Sequence, residues 1–504
     1  MNKPNIVVIC LDTFRADIVG QGKKFSHIRT PALDQLYDQS IRFNQCYGEA
    51  LATLQVRNTN FTGMRGFPFK NGYYGWHEVP KGYPTVAEHL VSGGYATGLI
   101  ADTPHIFKPN MNFSRGFLTF EHVRGQTSDS WRIGPWDTVA SSFKDYFGNY
   151  LPTPPSDSNV SFYAEGQVLQ YLHNIRDRIN EEDWFAPRVF TAGSRWIKDN
   201  ANNSPFFLWM DCFETHELFD PPHSYIKEYN DTWEGPKYQQ PEHILSARLH
   251  SDIGGDSVQG LSEEFLDYYV ACYMAEVTFT DKYIGMFLEN LHKLGLEDDT
   301  ALIFTSDHGT ELADLSGLGK RESQLHPFTT KLNLLLRHPE KSLNNIDVEN
   351  LVQNQDIAPT ILELAGMEEK SFEMDGTSLL RIVNDDNYDQ DEFVITGWND
   401  YASVRDYEWN YITNWISDEP RPELYDLNSD RDEAHNVCDL NPDIASKFKS
   451  RLENHLGGRL PRPQDQIRSD GASGMEYKPL YSTSYAPLFY KARMRWNDPG
   501  ALPK

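Results

Sequence analysis

The chain has 504 residues, of which 39% are hydrophobic and 13% aromatic, so it is long enough for about two folded domains. Its formal net charge is −27, from 73 acidic and 46 basic side chains. This balance argues against a nucleic-acid partner, because such binding needs a clustered basic surface. An acidic protein that acts on anions must instead concentrate positive charge locally.

The cysteines and the N-terminus predict a cytoplasmic protein that does not span a membrane. The five cysteines are widely spaced and odd in number, which favours a reducing compartment. The apolar run that starts at Ile6 is too short for a signal segment and precedes no cleavage site. No 18-residue apolar window occurs in the sequence.

Short apolar runs alternate with helical patterns along the first two thirds of the chain. The predicted strands are Ile6–Leu11, Tyr95–Ile100, Phe206–Met210, Ala301–Thr305 and Phe393–Thr396. The predicted helices are Pro31–Gln39, Thr85–Ser92, Glu263–Leu294 and Ile357–Ala365. This alternation predicts an α/β fold, a mainly parallel sheet sandwiched by helices.

Three parts of the chain are predicted from these patterns. Residues 1–385 form a catalytic α/β domain, and residues 386–460 form a smaller C-terminal α+β domain. Residues 461–504, rich in Tyr, Pro and Trp, are predicted to be an extended arm. We expect this arm to pack along the main domain or across a homo-oligomer interface.

Polar residues follow three of the predicted strands. Asp12 comes after the first strand, His216 follows Phe206–Met210, and Asp307 with His308 follows Ala301–Thr305. The carboxyl ends of parallel strands meet at one edge of the sheet, where ligands bind. Two carboxylates and an imidazole there predict a site for one divalent cation, with Mn²⁺, Zn²⁺ and Ca²⁺ as candidates.

Several segments together resemble the sulfatase family of the alkaline-phosphatase superfamily. In chain order they are Asp12–Asp17 with Thr30–Asp34, Pro205–Trp209 with Asp211, His216 and Asp220–Pro222, Phe304–Gly309 with Gly319–Lys320, Gln355–Ile361, and Pro422–Leu427. The resemblance runs from about residue 4 to about residue 455 in the family's order. It implies an alkaline-phosphatase/sulfatase-like fold, hydrolysis of an anionic ester of a small molecule or sugar, and a divalent metal.

The resemblance also implies roles for individual residues. Asp12, Asp307 and His308 match the metal ligands, while Thr13 stands where sulfatases often carry a second ligating Asp. Lys320 matches the lysine that contacts the substrate anion, and His216 matches a histidine near the leaving-group oxygen. Two further histidines are expected to bind substrate: His105, which stands where many sulfatases have a lysine and histidine pair, and His326, six residues beyond Lys320.

The nucleophile segment departs from the family pattern. Sulfatases of the common type carry Cys or Ser, then any residue, Pro, Ser and Arg, and the first residue is oxidised to formylglycine. Here Arg57 and Thr62-Gly63 align the stretch and place Thr53 on the nucleophile, with Gln55 and Val56 in place of Pro and Ser. Threonine is not a substrate for that oxidation, so formylglycine is not expected.

The resulting hypothesis is a phosphate-type ester hydrolase that works through a covalent Thr53 intermediate. Thr53, at a helix N-terminus and also a metal ligand, attacks in line; Arg57 and Lys320 bind the equatorial oxygens; His216 acts as the general acid. The expected substrates are phosphodiesters, phosphomonoesters or phosphonate monoesters. Two alternatives stay open: a sulfatase that acts without formylglycine, and a catalytically silent relative that binds anions.

Overall fold

The computed structural model describes residues 3–457 apart from 70–75, 109, 128, 133, 135–137, 149–167, 169, 238–257, 259–260, 316, 368–372, 385–391 and 416–419. The predicted arm at 461–504 lies outside the described residues. Within the described part, the five cysteines are free and buried. No described helix is long and apolar enough to cross a bilayer.

An eight-stranded sheet forms the centre of the molecule, in the strand order β10-β2-β9-β6-β1-β5-β3-β4. Its strands are β1 (Asn5–Leu11), β2 (Ile41–Tyr47), β3 (Ala96–Ala101), β4 (Thr119–His122), β5 (Phe206–Cys212), β6 (Thr300–Ser306), β9 (Leu334–Arg337) and β10 (Ile346–Gln353). Only β9 runs antiparallel to its neighbours, β2 and β6. The mainly parallel sheet is therefore confirmed, with one antiparallel strand that the sequence pattern did not reveal.

Helices cover both faces of this sheet. They are α1 (Pro31–Asp38), α2 (Thr53–Thr62), α3 (Val86–Ser92), α4 (Ala140–Phe147), α5 (Phe185–Asn200), α6 (His223–Ile226), α7 (Glu263–Lys293), α8 (Pro327–Thr330), α9 (Ile357–Leu364) and α10 (Leu379–Asn384). Side chains of β1 alternate between two hydrophobic clusters: Val7, Ile9 and Leu11 join the cluster under α5 and α7, and the residues between them join the one under α9. A strand buried on both faces reads as one continuous apolar run, which is why β1 was predictable.

A smaller antiparallel sheet follows in the C-terminal part. Its strands are β11 (Val394–Trp398), β12 (Tyr401–Arg405), β13 (Trp409–Asn414) and β14 (Glu423–Asp426), and the two-residue strands β7 (Glu311–Leu312) and β8 (Leu318–Gly319) form a separate hairpin. Helix α11 (Pro442–His455) packs on this sheet through Phe448 and Leu452. The predicted smaller α+β domain is thus present, and it pairs with the main domain through a bridge between Ala50 and Gly397.

Candidate active site

Three buried aspartates lie at the carboxyl ends of three adjacent strands. Asp12 directly follows β1 and Asp307 directly follows β6, while Asp211 is the second-last residue of β5. Asp211 stands opposite Cys10 in the β1–β5 register. All three carboxylates are fully buried. Parallel strands lie about 4.8 Å apart, so this topology brings together carboxylates that are hundreds of residues apart in the chain.

Asp12, Asp307 and His308 form a candidate metal-ligand set. One donor atom from each lies within 4.8 Å of the others. His308 Nδ1 is 2.9 Å from the Gly309 carbonyl oxygen, which can only accept, so Nδ1 carries the hydrogen and Nε2 keeps its lone pair. That Nε2 atom lies 3.6 Å from Asp307 Oδ2 and 3.9 Å from Asp12 Oδ1.

The residues present fit a divalent cation. Among the described residues, His308 Nε2 is buried without a hydrogen-bond partner, and Asp12 Oδ2 has only the ion pair with Arg57 at 3.1 Å. Buried polar atoms rarely remain unsatisfied, and carboxylate oxygens together with an imidazole nitrogen suit Mn²⁺ or Zn²⁺. The structure brings the three predicted ligands together, and both their role as ligands and the identity of the metal stay predictions.

Burial sets the protonation of this set. Burial and the nearby Asp307 raise the pKa of Asp12 to about 7, and the positive charge of Arg57 opposes that rise. Burial lowers the pKa of His308 to about 4, although Asp12 acts in the opposite direction. The imidazole is therefore neutral at neutral pH, as a metal ligand must be.

Arg57 holds the three aspartates together. Its Nε is 2.9 Å from Asp211 Oδ2, its Nη1 is 2.5 Å from Asp307 Oδ2, and its Nη2 is 3.1 Å from Asp12 Oδ2. Nη1 also donates to the Thr53 carbonyl at 3.0 Å. The guanidinium is fully buried and contacts three carboxylates. The predicted contact between Arg57 and substrate oxygens stays a prediction.

Thr53 is the first residue of α2. All ten residues of this helix are buried, and its N-cap is Ala52, with no side-chain hydrogen bond to the cap. The Thr53 hydroxyl is therefore not used as a helix cap, the other common use of threonine at such a position. The loop before Thr53 is fixed by β11, because Leu51 donates its N–H to the Gly397 carbonyl at 2.8 Å.

A second anchor of α2 lies in the segment between β10 and α9. The Asn354 side chain donates to Asn60 Oδ1 at 2.7 Å and accepts from the Glu49 N–H at 2.8 Å. The predicted nucleophile helix is thus tied at one end to the strand ends through Arg57 and along its length to the Asn354 turn.

Thr13 and Lys320 form a bridge beside Asp12. Thr13 adopts a positive φ of 59°, which is uncommon for a β-branched residue. In this conformation its N–H donates to Asp307 Oδ1 at 2.9 Å and its hydroxyl donates to Asp12 Oδ1 at 2.8 Å. Lys320 Nζ donates to the Thr13 hydroxyl at 3.1 Å and forms an ion pair with Glu217. Lys320 is thus connected to the candidate metal ligand Asp12 through the Thr13 hydroxyl.

His105 and His216 both contact one aromatic ring, that of Phe213. The Phe213 ring stacks on His216 with centroids 4.2 Å apart, and it contacts His105 at 5.8 Å. His216 Nδ1 donates to the Glu217 carbonyl at 2.5 Å, which fixes the tautomer of the ring. The two predicted histidines therefore share one wall, reached from β3 and β5.

His326 lies in a different group of side chains. It is buried, its Nδ1 is 2.8 Å from Glu433 Oε2, and its ring stacks on Phe328. Glu433 in turn pairs with Arg405 of β12. His326 thus joins the main domain to the C-terminal sheet, and its predicted contact with substrate stays a prediction.

Sequence reasoning assigned no role to several residues around the site. Asp211 lies in a segment that resembles the family, but its pairing with Arg57 was not predicted, although a carboxylate inside a buried strand needs a cationic partner; Thr103 also donates to it at 2.6 Å. Trp398 stacks over His308 with ring centroids 6.5 Å apart, but it comes from the C-terminal sheet and no local signal marks it. Glu217 adjoins His216 in sequence, yet only the fold brings it to Lys320.

Comparison with known proteins agrees with this geometry. The family model described as "Sulfatase" matches residues 4–367, and the model "N-sulphoglucosamine sulphohydrolase, C-terminal" matches residues 324–457. The uncharacterized sulfatase YidJ of Escherichia coli is 24% identical over 98% of this chain and 93% of its own length. The multifunctional alkaline phosphatase superfamily protein PehA of Trinickia caryophylli is 25% identical over 75% of this chain and 77% of its own.

Solved structures show the same fold. The phosphonate monoester hydrolase of Agrobacterium radiobacter superimposes with a TM-score of 0.66 at 19% identity, covering 90% of this chain and 95% of that one. The family model covers more than half of the chain, and the superposition shows the same fold. Together they support an ester hydrolase of the alkaline-phosphatase/sulfatase superfamily. The chain belongs to the sulfatase family.

Proposed function

We propose that this protein is a metal-dependent hydrolase of phosphate-type esters in which Thr53 forms a covalent intermediate. The observation that carries the proposal is the link made by Arg57, whose Nη1 bridges the Thr53 carbonyl and Asp307 Oδ2 at 3.0 and 2.5 Å. This link ties the first turn of α2 to the candidate metal ligands. A helix N-terminus also favours the negative charge that an attacking oxygen and its anionic substrate bring.

The reaction consists of two displacements at phosphorus. In the first, Thr53 Oγ1 forms a bond to phosphorus while the bond to the leaving-group oxygen breaks. In the second, water attacks phosphorus and the bond to Thr53 Oγ1 breaks, which regenerates the hydroxyl. A divalent cation held by Asp12, Asp307 and His308 would lower the pKa of the threonine hydroxyl, so that its proton is lost to solvent before attack.

Lys320 and His216 have separate roles in this proposal. Lys320 binds an oxygen of the transferred group; removing such an electrostatic contact typically costs about 2.7–4 kcal/mol of barrier. His216 donates a proton to the leaving-group oxygen, a contribution of about 10²–10⁴ in rate. Its ring is held by the Glu217 carbonyl through Nδ1, which leaves Nε2 as the atom that transfers the proton.

The remaining predicted contacts concern the organic part of the substrate. His105 shares the Phe213 wall with His216 and is the candidate contact to the leaving group. Because carboxylates hold the Arg57 guanidinium, we assign it the alignment of Thr53 and the metal ligands in place of the substrate contact that the sequence predicted. The substrate class is an anionic ester of a small molecule or sugar, as predicted from the sequence.

A sulfatase that works without formylglycine is the second candidate. The matched family model favours it, as does the relative YidJ, which is named a sulfatase. Sulfate and phosphate-type transfers share an in-line geometry and differ in the charge on the transferred group. In this alternative a water molecule attacks sulfur, and Thr53 does not become esterified.

Initial rates on matched 4-nitrophenyl esters test the proposal. Sulfate, phosphate monoester, phosphodiester and phosphonate monoester share one leaving group, so their rates compare the transferred groups alone. We expect the phosphorus esters to be cleaved orders of magnitude faster than the sulfate, and Thr53→Ala to abolish that turnover while metal binding persists. Thr59→Ala is the matched control, since it removes a buried hydroxyl of the same helix that has no hydrogen-bond partner among the described residues.

Three outcomes contradict the proposal. Faster sulfate cleavage by the wild type supports the second candidate instead. Near-wild-type turnover by Thr53→Ala excludes Thr53 as the nucleophile and indicates an activated water. Tight metal binding without turnover of any ester would indicate a catalytically silent relative.

A further inference from the structure

The lysine that is expected to bind substrate, Lys320, already forms an ion pair with Glu217. One of its carboxylate oxygens forms the ion pair with Lys320 Nζ and lies 3.2 Å from His216 Nδ1, and the other accepts a hydrogen bond from the Thr310 hydroxyl at 3.2 Å. Both members of the pair are more than nine-tenths buried, with side-chain exposures of 6% and 7%. Water therefore screens the pair weakly, and the carboxylate adds a full negative charge to the place where the anion is expected.

Arg57, the other cation of the site, is also paired with carboxylates. Arg57 faces the carboxylates of Asp12, Asp211 and Asp307, at distances of 2.5–3.1 Å. Among the described side chains that surround the strand ends, each cation thus has at least one carboxylate partner. An incoming group with one negative charge can share Lys320 with Glu217, but a second negative charge meets no unmatched side-chain cation.

We propose that Glu217 makes the site selective for esters whose transferred group carries one negative charge, and against those that carry two. This proposal rests on the phosphate-type ester hydrolysis proposed above and names its substrate class. Phosphodiesters and phosphonate monoesters are the favoured substrates, and dianionic phosphate monoesters are disfavoured. Glu217 acts on specificity through its charge and takes no part in bond making.

The expected size of the effect follows from the distance between charges. An oxygen bound to Lys320 lies within about 5 Å of the Glu217 carboxylate, where one extra unit of negative charge lowers binding about 10²-fold at an effective dielectric constant of about 20 and about tenfold at about 50. Removing the carboxylate charge of Glu217 should therefore strengthen binding of the dianion by about tenfold or more. The monoanion should gain much less.

The test compares two substrates with one leaving group, methyl 4-nitrophenyl phosphate and 4-nitrophenyl phosphate, at a pH where the second is a dianion. We expect Glu217→Gln to raise kcat/KM for the monoester relative to the diester by about tenfold or more. Glu217→Asp keeps the charge and should keep the wild-type ratio. Glu311→Gln is the matched control, because it neutralises another buried glutamate, one that pairs with Arg321 at 2.6 Å.

Equal losses on both substrates in Glu217→Gln would overturn the proposal, because they would mean that Glu217 only positions Lys320. An unchanged ratio would overturn it as well. If the wild type cleaves sulfate esters alone, the Thr53 proposal fails, but the role of Glu217 is still tested by inhibition of that reaction. Inorganic phosphate should then inhibit Glu217→Gln about tenfold more strongly than wild type, while dimethyl phosphate should inhibit both alike. Similar inhibition of both proteins by phosphate would refute the role of Glu217.

Discussion

Removing Arg57 should destabilise the protein far more than removing an arginine from an exposed ion pair. Arg57→Met leaves Asp12, Asp211 and Asp307 buried without the cation that contacts all three. Breaking a buried pair on one side typically costs about 3–5 kcal/mol. We expect a loss of that size in the free energy of unfolding, measured by urea denaturation in the presence of a chelator.

The structure offers a matched control for this loss. Arg42 makes an equally short bidentate pair with Asp347, at 2.7 and 2.9 Å, but the Asp347 side chain is 52% exposed. Exposed pairs contribute about 0–1 kcal/mol, so Arg42→Met should cost little. Adding Mn²⁺ should recover part of the loss in Arg57→Met, because a cation then compensates the same carboxylates. Equal losses in the two variants would refute the view that Arg57 is the electrostatic centre of the site.

Three further predictions follow from the site and its surroundings. Lys320→Ala should lower kcat/KM by about 10²–10³ through loss of the anion contact, with Lys331→Ala as control, and an unchanged kcat/KM would contradict the assigned role. His308→Ala should abolish the rise in melting temperature that Mn²⁺ gives the wild type; an equal rise in both proteins would exclude His308 as a ligand. Burial and the adjacent Glu214 hold the pKa of Glu276 well above its usual value, so its carboxyl ionises at a higher pH in the folded state than in the unfolded state. This difference makes stability fall as pH rises above about 4.5, by up to about 1.4 kcal/mol per pH unit. Asp12 adds to the same fall because its pKa is also raised, so Glu276→Gln should make the slope shallower in urea denaturation without removing it. A slope equal to that of the wild type would contradict the role of Glu276.

The elements at the centre of the fold were predictable because their patterns are local. Ile6–Leu11 and Ala301–Thr305 are continuous apolar runs, and both lie within buried parallel strands, β1 and β6. The long helix predicted from Glu263 to Leu294 is observed as Glu263–Lys293. Strand β9 was missed, since three leucines followed by an arginine are too short a run to reveal a strand or the direction in which it runs.

The site was predictable only in part, because its contacts join distant segments. Asp12, Asp307 and His308 stand directly after predicted strands, and the rule for parallel sheets brings them together. The pairing of Arg57 with Asp211 spans 154 residues and is invisible in either local sequence. Trp398 reaches His308 from another sheet, and His326 turns to Glu433 although it is only six residues beyond Lys320.

The stereochemical course at phosphorus tests the central claim most directly. Each in-line displacement inverts the configuration, so two displacements through Thr53 return the original one, whereas a single attack by water inverts it. The measurement is hydrolysis of one enantiomer of a phosphorothioate diester in oxygen-labelled water, with the configuration of the product determined by NMR. Our account predicts net retention. Net inversion would contradict it, because it would mean that water, and not Thr53, attacks the substrate.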